Sequence, residues 1–91
     1  MDELLASREQ MNRVSTEFLK VDLKTALTFV KIARQTPDHY QKKRNCRAAR
    51  RAYETVARLA KKVDLNAENG RAMTLELARL RAELEELGET L

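Results

Sequence analysis

KKRNCRAARRAYETVARLAKKV, residues 42–63, is the longest unbroken helical pattern in the chain. Its apolar residues recur at intervals of three and four, which places them along one face of an α-helix. This core stripe consists of Ala49, Ala52, Val56, Leu59 and Val63. The alanines allow another helix to approach closely at one end, and the larger side chains fill the other end. We therefore predict that the stripe packs in the protein core.

The same stretch is also strongly basic. Residues 42–62 carry nine basic side chains, and Glu54 is their only acidic neighbour. Residues 63–91 have the opposite balance, with three basic and seven acidic side chains. A basic helix followed by an acidic one favours electrostatic pairing, within one chain or between two chains. The acidic residues predicted to take part are Glu76, Glu83, Glu85 and Glu86.

The N-terminal part of the chain predicts two helices, over residues 2–20 and 22–35. The first has an amphipathic pattern made by Leu4, Leu5, Met11, Val14, Phe18 and Leu19. The second has a stripe made by Leu23, Ala26, Leu27, Val30 and Ala33, with Asp22 as its N-cap. No helix-breaking residue lies between them, so the two could also be continuous; the rotation of the pattern favours a bend.

The clearest boundary is the segment 36–38, Thr-Pro-Asp. Proline disfavours helical backbone at the residue before it and is well suited to the first position of a new helix. The segment therefore predicts a third helix over residues 37–63, with Thr36 as its N-cap and Asp38 in its first turn.

The last helix is predicted over residues 66–88. Asp64 or Asn66 can cap its start, and Gly88 can end it. Its apolar positions alternate in steps of four and three, the seam of a helical bundle or coiled coil. The seam consists of Met73, Leu77, Leu80, Leu84, Leu87 and Leu91.

Length and composition limit the fold class. The chain has 91 residues, two Gly, one Pro and four aromatic residues. So little turn chemistry argues against β-hairpins, and this length makes one domain. We predict a single all-α domain over residues 1–91, built from three to four antiparallel helices as a bundle or a helical hairpin with flanking helices. Because the core is thin, we also expect a homodimer.

The basic residues are the candidate contact site for a partner. They are Lys43, Arg44, Arg47, Arg50 and Arg51. A solvated helix face and salt bridges to the acidic helix both account for them, and phosphate binding is a third interpretation. The sequence contains no helix-turn-helix, zinc-finger or aromatic-rich RNA-binding motif.

Catalysis has little support in the sequence. Cys46 lies among basic residues that could lower the pKa of its thiol, but a free Cys is usually a small buried residue. His39 has no set of metal-ligating neighbours. We therefore expect no enzyme activity, cofactor or metal. An acidic N-terminus without a long apolar segment predicts a cytoplasmic protein that does not interact with membranes.

Two segments carry a resemblance to a known family. LKTALTFVKIA, residues 23–33, and ARRAYETV, residues 49–56, resemble the two helices of a tetratricopeptide-like hairpin. The AR-x-AY-x-T pattern in the second is also similar to small bacterial all-helical proteins with no known activity. The resemblance implies a protein-interaction scaffold. The sequence thus predicts a non-catalytic, self-associating helical interaction module, with nucleic-acid binding through the basic helix as the alternative.

Overall fold

The computed structural model describes the backbone of residues 2–63 and 65–91, and the side chains of residues 15–63 and 65–91. This part of the chain folds into three α-helices, α1 (Asp2–Gln35), α2 (His39–Ala60) and α3 (Ala67–Glu86). None of the described residues forms a β-strand. The predicted all-α fold class is confirmed.

The helix α1 is continuous where the sequence analysis placed two helices. Asp22 lies inside α1, so its predicted role as an N-cap is wrong. Neither Gly nor Pro occurs in this region, and one Asp in a helix interior costs too little free energy to end a helix. At 1.5 Å per residue, the 34 residues of α1 extend over about 51 Å.

The N-cap of α2 is Asp38, two residues beyond the predicted Thr36. The Asp38 carboxylate accepts hydrogen bonds from the backbone N–H groups of Tyr40 at 2.8 Å and Gln41 at 3.1 Å. Thr36 instead accepts a hydrogen bond from the backbone N–H of Asp38 at 3.3 Å. Pro37 precedes the cap, where its missing N–H leaves no helical hydrogen bond unmade. A carboxylate that satisfies two free N–H groups explains why the helix begins here.

The ends of α3 follow the predicted capping chemistry. Asn66 is the N-cap, and its side chain accepts a hydrogen bond from the backbone N–H of Asn69 at 2.7 Å. Asp64, the other predicted cap, lies outside the described residues. Gly88 follows the last turn with a φ of 94°, a conformation that favours glycine, and so ends the helix as predicted. The helix α2 ends at Ala60, three residues before the predicted Val63.

The helices run in alternating directions. A three-residue connection reverses the chain between α1 and α2. Arg34 near the end of α1 contacts Glu86 at the end of α3, with 2.7 Å between the guanidinium and carboxylate groups. Arg50 of α2 approaches Glu89, just after α3. Therefore α1 and α3 are parallel to each other, and α2 is antiparallel to both.

The predicted apolar stripes meet in one core. Ala26 and Ala33 of α1 and Ala49 of α2 are completely buried, and side chains this small allow helix backbones to approach each other. The α3 seam lies against both helices. The core cluster comprises Leu19, Leu23, Ala26, Val30, Ala49, Val56, Met73, Leu80 and Leu84. Ala52, Leu59, Val63, Leu77, Leu87 and Leu91 pack around it, half-buried. The predicted core residues Leu4, Leu5, Met11 and Val14 lie outside the described side chains.

Candidate functional site

Two exposed surfaces of the described side chains are of interest, and the first is basic. We call it the basic face of α2. It comprises seven exposed residues, of which five lie on α2 and two directly follow it: Lys43, Arg44, Arg47, Arg51, Arg58, Lys61 and Lys62. Four of the five residues predicted as a contact site come together here, because Lys43, Arg44, Arg47 and Arg51 line one shallow hollow of about 300 Å³.

The fifth predicted residue, Arg50, is directed away from the hollow. Its guanidinium lies 3.1 Å from the Glu54 carboxylate and 3.6 Å from the Glu89 carboxylate. Arg50 therefore holds the only acidic side chain of this basic stretch and links α2 to the residues after α3. Its position indicates a structural contact rather than a free binding group.

Within the described chain, none of the four acidic residues predicted for this pairing contacts the basic helix, and the two segments are joined instead by Arg50 and Glu89, just after α3. Three of the acidic groups of α3 bind arginines elsewhere, at distances of 2.7 to 3.8 Å. The pairs are Glu83 with Arg79, Glu85 with Arg81, and Glu86 with Arg34. Hydrogen bonds from these arginines raise the pKa of the guanidinium groups of Arg34 and Arg81. Because these three acids pair with arginines of α1 and α3, they leave the positive charge of the basic face uncompensated.

The sequence analysis missed Tyr40 as part of this surface. Its side chain is 74 % exposed and lines the same hollow as the four basic residues. Its hydroxyl forms no hydrogen bond with any described residue. The spacing of Tyr40, Arg44, Arg47 and Arg51, in steps of four, three and four, places them in one row on a helix. This helical spacing in the sequence could have identified Tyr40 as part of the basic face of α2.

The second exposed surface is apolar and lies on α1. We call it the outer face of α1, formed by Phe18, Val21, Thr25, Phe29 and Ile32. Phe18 is 54 % exposed, Val21 62 % and Ile32 42 %, whereas Phe29 is half-buried. Thr25 turns its hydroxyl inward and donates a hydrogen bond to the carbonyl oxygen of Val21 at 2.9 Å. Its polar group is thereby satisfied within the helix.

The spacing of the outer face is symmetric about its centre. The five residues follow in steps of three, four, four and three, with Thr25 in the middle. At 100° per residue they lie within an arc of about 80°. The sequence analysis missed this pattern because it separated the helices at Asp22. Only a continuous α1 places Phe18 and Val21 on the same face as Phe29 and Ile32.

A groove of about 530 Å³ lies beside the outer face, between α1 and the first turns of α3. Val21 forms its rim, and Leu23, Leu27 and Met73 contribute apolar walls. The charged residues around it are of both signs, Glu17, Lys20, Lys24 and Glu76. The apolar surface of α1 therefore continues toward α3 and is bordered by mixed charge.

The residues considered for catalysis are not assembled into a reactive site. Cys46 is buried, and burial raises the pKa of its thiol; Glu89 raises this pKa further, and Lys42 opposes the effect. In residues 15–63 and 65–91, no three His, Cys, Asp or Glu side chains are grouped to hold a metal ion. None of the described helices is long and apolar enough to cross a membrane.

Comparison with known proteins adds no relationship to this geometry. No protein-family model matches the chain, and searches of curated proteins and of solved structures found no match. The tetratricopeptide resemblance of residues 23–63 stays a prediction from the sequence.

Proposed function

We propose that this protein is a non-catalytic helical interaction module that pairs with a second copy of itself through the outer face of α1. The observation that carries the proposal is the exposed apolar row on α1, symmetric about Thr25. Phe18, Val21 and Ile32 are exposed on this face, whereas Phe29 is half-buried and also packs against the core. Large exposed apolar side chains grouped on one face are typical of a surface that another protein covers.

The symmetry of the row favours a second copy as the occupant. A two-fold interface uses the same patch on both chains, so the patch must be complementary to itself. If two α1 helices pack antiparallel with the two-fold axis beside Thr25, Phe18 of one copy faces Ile32 of the other. Val21 then faces Phe29, and Thr25 faces its own counterpart. Each large side chain meets an apolar one, and no polar group is buried without a partner.

The charges at the edge of the row are compatible with this register. Glu17 and Lys31 lie on the same edge of the outer face and are both exposed. The antiparallel register brings Glu17 within one helical turn of Lys31 of the second copy, and the symmetry makes this pair twice. Among the described residues, Glu17 pairs with Lys20 at 3.7 Å, and both side chains are exposed. Opposite charges at the edges favour the antiparallel register over alternatives.

The small core gives self-association an energetic reason. A domain of 91 residues buries a smaller fraction of its surface than a larger one, and its stability is correspondingly limited. Covering Phe18, Val21 and Ile32 removes more apolar surface from water. The tetratricopeptide resemblance, with its implied scaffold role, agrees with an interaction module.

The oligomeric state tests this proposal. We expect light scattering at micromolar concentration to give twice the 10.5 kDa mass of one chain. On dilution the mass should fall toward that of one chain, because a reversible dimer dissociates by mass action. A mass of one chain at every concentration would contradict the proposal.

A further inference from the structure

The basic face of α2 is not used by self-association through α1. Its seven cationic groups form no ion pair with any described acidic residue. Like charges along one helix face repel one another and destabilise a helix slightly. A row of exposed, unpaired cations on a folded helix is the electrostatic footprint of a polyanionic partner.

We propose that the basic face of α2 binds single-stranded nucleic acid, with its cations on successive phosphates and Tyr40 stacked against an unpaired base. From Tyr40 to Arg58 the row extends over about 27 Å at 1.5 Å per residue, long enough for several nucleotides. Phosphate contacts by Lys and Arg supply most of the affinity in this type of binding, and they are independent of base sequence.

Tyr40 decides between a single strand and a duplex. Its ring is 74 % exposed and lies in the hollow with Lys43 and Arg44. An exposed aromatic ring inside a basic groove is the platform on which single-strand-binding proteins stack bases. A base inside a duplex is already stacked on its neighbours and cannot use this ring.

An anionic membrane is a weaker candidate for the same charges. A helix that lies on a membrane inserts an apolar face into the lipid. The apolar face of α2 is occupied instead, because Cys46, Ala49 and Val56 are buried against the other helices. The exposed side of α2 is basic, and Tyr40 is its exposed large apolar residue among those that the structure describes.

The test is fluorescence anisotropy of a labelled oligodeoxythymidine and of a labelled duplex, titrated with the full chain at several salt concentrations. We expect the oligodeoxythymidine to bind more tightly than the duplex. The double substitution Arg47→Gln and Arg51→Gln should weaken binding by at least tenfold. The slope of log affinity against log salt should become shallower by about 1.4, because each lost single-strand contact removes about 0.7.

Two further variants give the control and the stacking test. The double substitution Arg79→Gln and Arg81→Gln on α3 removes the same amount of positive charge. These two arginines already form ion pairs with Glu83 and Glu85, so we expect nearly unchanged affinity for the oligonucleotide. Tyr40→Ala should weaken binding by about tenfold with the salt slope unchanged, because stacking releases no counterions.

Four outcomes would overturn the proposal. Two concern the unmodified protein: no anisotropy change at low salt, or duplex binding as tight as single-strand binding. The other two concern the variants: an α3 control that loses as much affinity as the Arg47 and Arg51 variant, or a Tyr40→Ala variant with unchanged affinity. Phosphatidylserine vesicles complete the experiment. Binding to these vesicles without binding to the oligonucleotide would also overturn it and assign the basic face to lipid.

Discussion

Replacing Val21→Glu together with Ile32→Glu is expected to convert the protein from dimer to monomer while leaving each chain folded. Both side chains are exposed within one chain, at 62 % and 42 %, so the substitutions should change the helical content little. In the proposed pair, the same positions lie against Phe29 and Phe18 of the second copy.

The expected effect is large because carboxylates would enter an apolar interface without partners. Burying an unpaired charge costs several kcal/mol, and about 3 kcal/mol per dimer already raises the dissociation constant by more than 100-fold. Light scattering measures the mass, and circular dichroism verifies the fold. Leu75→Glu is the matched control, because Leu75 is 71 % exposed on α3, away from the outer face. A variant that stays dimeric, or a control that also dissociates, would contradict the assignment of this interface.

Leu80→Ala is expected to lower the free energy of unfolding by about 3 kcal/mol, as is usual for a large apolar side chain removed from a core. Leu80 is completely buried in the middle of the α3 seam. The free energy of unfolding falls for two reasons: the removed atoms no longer make apolar contacts, and a cavity remains in their place. A small domain has about 5–15 kcal/mol of stability in total, so this one change removes a large part of it.

Urea denaturation at fixed protein concentration measures this difference, since the stability of a self-associating protein depends on concentration. Leu75→Ala removes the same atoms from an exposed position on the same helix. We expect that control to change the free energy of unfolding by less than about 0.5 kcal/mol. Equal effects of the two substitutions would mean that α3 does not pack on the core through this seam.

The fold class and the core could be predicted because local chemistry determines them. The stripe from Ala49 to Val63 and the seam from Met73 to Leu91 both follow a helical period, and both face the core. Gly88 ends α3 as predicted, since its positive φ is a conformation that few other residues adopt.

The helix boundaries were harder to predict because several residues could satisfy the same role. Thr36 and Asp38 can both cap a helix, and only the structure shows which one meets the free N–H groups. The helix boundary predicted at Asp22 also assigned the residues of the outer face of α1 to two different helices, so this face was not recognised. A face made by residues 18 to 32 exists only if the helix is continuous through that division.

The charge pairing could not be predicted from charge totals. Net charge is a property of a segment, whereas an ion pair depends on which side of each helix a residue occupies. Arg79 and Arg81 precede Glu83 and Glu85 by one turn, so α3 pairs these groups locally. The basic face of α2 consequently stays exposed, although the excess of acidic residues in α3 suggested that the two helices would pair.

The register of the proposed dimer is tested most directly by cross-linking through Thr25→Cys. Packed helices lie about 8–10 Å apart and Cα atoms lie about 2.3 Å from each axis, so the two facing Cα atoms would be about 5 Å apart. This separation suits a disulfide. Thr28→Cys is the control, because Thr28 is also exposed and bonds its hydroxyl to the backbone. Its two copies would lie at least about 9 Å apart along the helices.

Oxidation followed by non-reducing electrophoresis gives the answer. We expect a covalent dimer for Thr25→Cys, little for Thr28→Cys, and none for the unmodified chain, whose Cys46 is buried. Equal cross-linking at both positions would indicate parallel helices in register and contradict the antiparallel pair. No cross-linking of Thr25→Cys at micromolar concentration would contradict self-association through the outer face of α1.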